Sequence, residues 1–182
     1  MTDIRRIASV MSAHPEVDEA TAVSVRIADS ERILAVAAVS GFVTRPMLRQ
    51  HLWRDLDEAL AASVGVLTLD RIPRSGGEAD LTEITRAVLE TGDSVWFHAP
   101  ADELETELAA LWAQVLDSAR VSVFDDFLDL GGDSLAAIRI VSEVERRFGL
   151  TLRLDELLDA TVRSVADRIR LDRASHDPGA AE

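Results

Sequence analysis

Residues 123–138 read VFDDFLDLGGDSLAAI, and the division of this stretch into loop and helix decides the fold of the second half of the chain. Phe124, Phe127 and Leu130 are spaced to pin a loop onto an apolar core. Gly131 and Gly132 remove side-chain bulk just before a helix begins, so that a phosphate or another protein's backbone can come close. Ser134 then stands at the helix N-terminus, where unpaired N–H groups and the helix dipole favour negative charge beside its hydroxyl. Asp133 cuts against a phosphate, because a carboxylate repels it. It makes more sense as a ligand or orienting group for a metal ion in a complex with a modifying enzyme. The same letters also suit a plain Gly-Gly turn with an Asp or Ser cap, and a bare GGDS decides nothing by itself.

Working outward, the flanking residues read as helices. Leu104, Leu108, Leu111 and Val115 step by 4, 3 and 4 and give a long first helix. Ala137, Val141, Val144 and Phe148 repeat the spacing in a second, which Gly149 ends. Leu154, Leu157 and Leu158 fit one short turn, and Val162, Val165, Ala166 and Ile169 form a last helix. A loop from about Ser118 to Asp133 joins the first two. Short helices converging on one core make an all-α four-helix bundle over residues 102–172.

The residues before it mix both periodicities. Ile4, Ile7, Ala8 and Met11 follow helical spacing up to His14-Pro15, and Val23, Val25 and Ile27 alternate as in a half-buried strand. ILAVAAVSGFV (33–43) is a continuous apolar run that suits a central strand, and VGVLTL (64–69) reads as a third strand. Between them Thr44 and Pro46 start a helix striped by Leu48, Leu52 and Leu56. A final helix places Leu81, Ile84 and Val88 inward and stops at Gly92. The order α-β-β-α-β-α predicts a small α+β domain over residues 1–91. Residues 92–101 read as a linker, although Trp96 and Phe97 are expected to pack onto a flanking domain. Residues 173–182 read as a frayed tail.

Composition bounds the chemistry. The 182 residues carry a net charge of −14, a surface that repels nucleic acid and anionic membranes. Cysteine is absent, which removes disulfides, thiolate metal sites and a cysteine nucleophile; lysine is absent too, and every basic residue is arginine. The histidines at 14, 51, 98 and 176 lack metal-ligand spacing. The opening MTDIRRIASV is too polar for a secretory signal, no apolar run reaches the length of a membrane span, and the expected location is the cytoplasm. A hydrolase elbow would read G-x-S-x-G, whereas Ala136 stands two residues after the serine. Nor do the aspartates of 125–133 have the ligand spacing of an EF-hand loop.

Residues 125–135, DDFLDLGGDSL, resemble the phosphopantetheine attachment site of peptidyl carrier (thiolation) domains of nonribosomal peptide synthetases, and the resemblance runs through SEVERRFG across about residues 102–172. It implies a covalent 4′-phosphopantetheine on Ser134, donated by coenzyme A through a phosphopantetheinyl transferase with magnesium, with Gly131, Gly132 and Asp133 framing the site. A separate adenylating enzyme would load the arm, and condensation or tailoring enzymes would unload it. Leu135 and Ile138, on the outer start of the helix, are candidates for partner contact, with ordinary core packing as the alternative. The carrier itself is not expected to catalyse.

HPEVDEATAVSV and VLTLDRIPRSGGEADL are similar to the small C-terminal subdomain of adenylation domains, from about Ile4 to Leu89. Where that family carries Asn-Gly-Lys, whose lysine contacts the carboxylate and phosphate, this chain has Gly76, Gly77 and Glu78. Glu78 reverses the charge such a transition state needs. Without a lysine or a nucleotide-binding core the chain is not expected to adenylate alone. Its first domain could recruit a partner enzyme, stabilise the carrier, or complete an adenylating core in trans. The rival from another class is an unmodified carrier-like interaction module.

Overall fold

The computed structural model describes residues 2–176. The chain divides into two compact units, with the boundary between Phe97 and His98. In the first, the elements run α1 (Thr2–Ser12), β1 (Val17–Ile27), β2 (Ser30–Val39), α2 (Arg45–Asp55), α3 (Glu58–Ser63), β3 (Gly65–Leu69), the short hairpin β4 (Arg74–Ser75) and β5 (Glu78–Ala79), and α4 (Leu81–Thr91). A 3-10 turn follows over Gly92–Val95. The second contains α5 (Glu103–Val115), α6 (Ser134–Phe148), α7 (Leu154–Leu158) and α8 (Val162–His176).

The continuous apolar run of β2 has a simple cause. β2 is the middle strand of the sheet β1-β2-β3, antiparallel to β1 and parallel to β3. Successive side chains point to opposite faces, so a strand covered on both sides needs apolar residues throughout. Ala35 and Ala37 join Ile7, Met11, Leu48 and Leu52 on the α1–α2 face. Leu34, Val36 and Ala38 join Ile84, Val88 and Trp96 on the α4 face. β1 turns into β2 through Ala28 and Asp29, with Ala28 in the left-handed region at φ 51°. The parallel return to β3 needs a crossover, and α2 with α3 supplies it. Thr44 caps α2 by accepting from the Met47 N–H, and Leu48, Leu52 and Leu56 are all buried as the stripe predicts.

Two expectations are corrected, at Leu81 and at the tail, while residues 92–101 include the two aromatics expected to pack. Leu81 does not face inward: it is 49% exposed, because capping by Asp80 makes it the first residue of α4 and leaves only Ile84 and Val88 on the buried stripe. Residues 92–101 are structured on both sides of the unit boundary. Val95 and Trp96 are buried in the first unit, and Phe97 meets Trp53 edge-on with ring centroids 4.9 Å apart. His98 belongs to the second unit, where its N–H donates to Ser122 Oγ (3.0 Å) and its carbonyl accepts from the Val123 N–H (3.0 Å). Finally, α8 continues to His176, since Arg173, Ala174 and Ser175 tolerate helix and Ser175 Oγ donates to the Leu171 carbonyl. Residues 173–176 are therefore helical, and 177–182 lie outside the described residues.

The four helices of the second unit surround one core that includes Leu108, Leu111, Trp112, Ala137, Ile140, Val144, Leu157 and Ile169. Asp102 caps α5 by accepting from the Glu105 N–H at 2.9 Å. Glu105 is buried, and it is compensated by Arg163 and Arg170 of α8 and by the Ala101 N–H. An unpaired carboxylate there would be costly to desolvate.

In the first unit the Trp96 ring occupies the space a side chain at position 65 would need, since a Cβ on Gly65 would lie 2.3 Å from it. Gly65→Ala must displace the indole, which also stacks under the Arg32 guanidinium at 3.7 Å. The expected loss is about 1–3 kcal/mol of stability, read by urea denaturation, with Trp96 fluorescence shifted toward that of an exposed indole.

Candidate functional site

The site is built from the core outward. Phe127 is fully buried and meets the Trp112 ring edge-on, with centroids 5.7 Å apart. Its N–H donates to the Ala160 carbonyl (3.0 Å), and its own carbonyl accepts from the Gly132 N–H (3.0 Å). The loop thus closes on itself around one aromatic ring. Further tight bonds, Leu130 N–H to Asp126 O and Gly131 N–H to Leu128 O, shape the turn between. Upstream, Ser122 and Asp125 are buried and satisfy each other: the Ser122 N–H donates to Asp125 Oδ2 (3.0 Å) and the Asp125 N–H to the Ser122 carbonyl (3.1 Å). Phe124 packs against the core with its ring edge-on to His98.

The two glycines have different reasons. Gly131 takes φ 85°, a conformation that favours glycine. At Gly132 a Cβ would sit 2.4 Å from the Phe127 ring. The side chain missing at 132 therefore makes room for the protein's own core, a reason distinct from the expected close approach of a phosphate or another protein's backbone.

Asp133 is the N-cap of α6, its Oδ1 accepting from the Ala136 N–H at 2.8 Å. Ser134 is the first residue of the helix and is exposed, and its hydroxyl makes no hydrogen bond among the described residues. Among the described residues no imidazole or carboxylate is hydrogen-bonded to it, whereas the nucleophile of a serine hydrolase is paired with a base. An open hydroxyl at a helix N-terminus, beside amide donors, suits an oxygen that receives a phosphoryl substituent. The residues present therefore fit a covalent phosphopantetheine.

Leu135 and Ile138 are 58% and 50% exposed, so core packing does not account for them. Leu128, not singled out from the sequence, is 51% exposed on the same loop. Arg139 was also missed; its signal was that it is the only cation in the first two turns of α6. It lines a recess with Gly131, Asp133, Leu135 and Ala136. Among the described residues no cluster of three or more histidine or acidic side chains is arranged to hold a metal ion. No described helix is long and apolar enough to cross a membrane.

Gly132→Ala should destabilise the second unit by about 1–3 kcal/mol through the clash with Phe127, whereas Asp133→Ala should cost about 1 kcal/mol through the lost cap, both read by chemical denaturation. Farther along α6, hydrogen bonds from Arg146 and Arg147 hold the Glu143 carboxyl down at about 2. Because the folded value lies below the ordinary 4.5, the contribution of these two ion pairs is present above pH 4.5 and is lost as pH falls toward 2. Carboxyl NMR titration should find that value, and replacing both arginines by alanine should return Glu143 to the ordinary glutamate range.

Residues 106–169 match the family model described as "Phosphopantetheine attachment site". Among curated proteins, surfactin synthase subunit 1 of Bacillus subtilis is 28% identical over 98% of this chain, and tyrocidine synthase 2 of Brevibacillus parabrevis is 30% identical over 90%. The chain spans only 5% of the length of each. Among solved structures, a chain in that of the phosphopantetheine transferase Sfp with coenzyme A and a peptidyl carrier protein is 28% identical, covering 41% of this chain and 99% of its own, with a TM-score of 0.40. The solution structure of an active-site mutant peptidyl carrier protein is 27% identical over 47% of this chain and 93% of its own, with a TM-score of 0.41. The family match over residues 106–169 supports a covalently attached 4′-phosphopantetheine in the second unit.

Proposed function

We propose that Ser134 is the attachment point and that the second unit is a peptidyl carrier domain, holding an aminoacyl or acyl group as a thioester for nonribosomal peptide-type biosynthesis in the cytoplasm. The observation that carries this reading is the exposed, unactivated Ser134 hydroxyl at the start of α6, presented by a loop fixed on Phe127. When bound, the arm supplies a terminal thiol, which the cysteine-free chain otherwise lacks. The chain's own task is to present Ser134 and to dock its partners. Leu128, Leu135 and Ile138 form the apolar part of that docking surface, and the net negative charge favours basic partners. Those partners are a phosphopantetheinyl transferase, a separate adenylating enzyme, and condensation or tailoring enzymes downstream.

The first unit is read as a degenerate C-terminal subdomain of an adenylation domain whose role is to recruit a partner. Alignments to peptide synthases that extend over 98% of the chain support the pairing. In place of a lysine, the exposed β4–β5 hairpin carries Glu78, with Arg74 tied to Glu19 of β1. A carboxylate at that position repels an acyl-phosphate, so no adenylation activity is expected from this chain.

Intact mass after incubation with coenzyme A, magnesium and a broad-specificity transferase tests the reading. The wild type should gain one phosphopantetheine and Ser134→Ala none. An unmodified, folded wild type beside an active control carrier would leave a non-covalent docking module as the function.

A further inference from the structure

The loop between β2 and α2, residues 40–43, holds the most exposed large apolar side chain among the described residues. Phe42 is 99% exposed, although the next residue, Val43, is buried with the α1–α2 core. The chain is fixed on both sides of the ring. Thr44 caps α2 by accepting from the Met47 N–H, and Ser40 Oγ donates to Asp18 Oδ1 at 3.1 Å. At Gly41 a Cβ would lie 2.7 Å from Glu16 Oε2, so the Glu16 carboxylate rests against the backbone next to Phe42. Glu16 is itself held, its N–H donating to His14 Nδ1 at 3.2 Å. An anchored loop turns the ring outward, and the protein's own packing does not account for it.

Two carboxylates accompany the ring. Glu16 and Asp18 are exposed, and neither makes an ion pair among the described residues. The third carboxylate of this stretch, Glu19, is the one that Arg74 takes. An aromatic side chain left in water forgoes the free energy of burial, and one held by a fixed loop gives up little freedom on binding. Carboxylates beside it select by charge, attracting a basic surface and repelling an acidic one. The corner therefore fits an apolar pocket bordered by arginine or lysine.

We propose that Phe42, flanked by Glu16 and Asp18, is the contact by which the first unit recruits its partner. The ring enters an apolar pocket on the adenylating enzyme, and the two carboxylates meet a basic rim around that pocket. The inference rests on the recruiting role proposed above for the first unit. Recognition of the loading enzyme is then carried by residues in a different unit from Ser134, Leu135 and Ile138, so it can be altered with the attachment motif left intact.

The probe is an adenylating enzyme shown to load the modified wild type, and each variant is first shown by intact mass to carry one arm. Phe42→Ala removes no core contact and should unfold at the wild-type denaturant midpoint. Its KM for loading should rise about tenfold with kcat unchanged, because the ring serves binding and not the chemical step. Added salt should raise the wild-type KM, and the double variant Glu16→Arg with Asp18→Arg should have a higher KM that salt no longer raises. Amide signals of the labelled full chain, titrated with the same enzyme, should broaden at Glu16, Asp18 and residues 40–43. Broadening elsewhere in the first unit, with the KM of Phe42→Ala unchanged, would overturn this surface and leave the recruiting role standing. Broadening confined to the second unit would remove the recruiting role itself, and this surface with it.

Discussion

The packing of the Phe127 ring against Gly132 is the contact on which the second unit's chemistry depends. A loop of more than a dozen residues between α5 and α6 is paired to the rest of the backbone at only a few points, among them the bridge of Asp126 with Thr161, and its ordering costs conformational entropy. One buried aromatic solves this by linking three things. Its ring sits on Trp112 of α5, its N–H is bonded to Ala160 before α8, and its carbonyl holds Gly132 two residues before α6. The direction in which the chain enters α6 is thereby set from inside the core. Asp133 then falls at the cap and Ser134 at the first helical position, facing solvent. The exposure of the serine is thus a consequence of burial elsewhere.

The first unit uses the same device in a different setting. There the ring is Trp96, and the missing side chain is that of Gly65 at the start of β3. The indole closes the α4 face of the sheet after the helix has ended, with Arg32 over its ring and the buried Arg49 donating to the Ser94 carbonyl just before it. Both contacts anchor an irregular segment by letting an aromatic ring touch backbone, which only glycine permits at that distance.

Periodicity made the regular elements legible. The two-sided burial of β2 and the stripes of α2, α5, α6 and α8 are written as runs and as steps of three and four. What escaped reading has identifiable causes. A glycine letter announces a missing side chain without saying which neighbour fills the space, so Gly132 read as room for an outside phosphate or backbone, whereas the Phe127 ring occupies the Cβ position. Ala28 turns the first hairpin in a left-handed conformation that its identity does not advertise. Glu105 and Arg49 are buried because partners distant in sequence, Arg163, Arg170 and the Ser94 carbonyl, compensate them. Leu81 was placed on a buried stripe that begins three residues later, since capping by Asp80 settles where the helix starts. Around Ser134 the motif was legible as letters, but the recess beside it was not, because its far wall comes from Val115 at the end of α5 and from Leu116 and Asp117 just after it.

Asp133 illustrates how one side chain can meet two demands. As a cap it needs a single oxygen, and Oδ1 is spent on the Ala136 N–H. The other oxygen has no hydrogen bond among the described residues and stays at the surface beside Ser134. The residue thus satisfies helix geometry with one oxygen, and the proposed role of the other toward a cation brought by a partner does not compete with the cap. Ser134 has the complementary property: it is exposed at the start of the helix, and its hydroxyl makes no hydrogen bond among the described residues. In the proposed carrier reading, such a hydroxyl leaves base and electrophile to be supplied by a partner. For a protein whose proposed role is to be modified once and then visited by several enzymes, that restraint is an advantage, because the chemistry is selected by which partner docks.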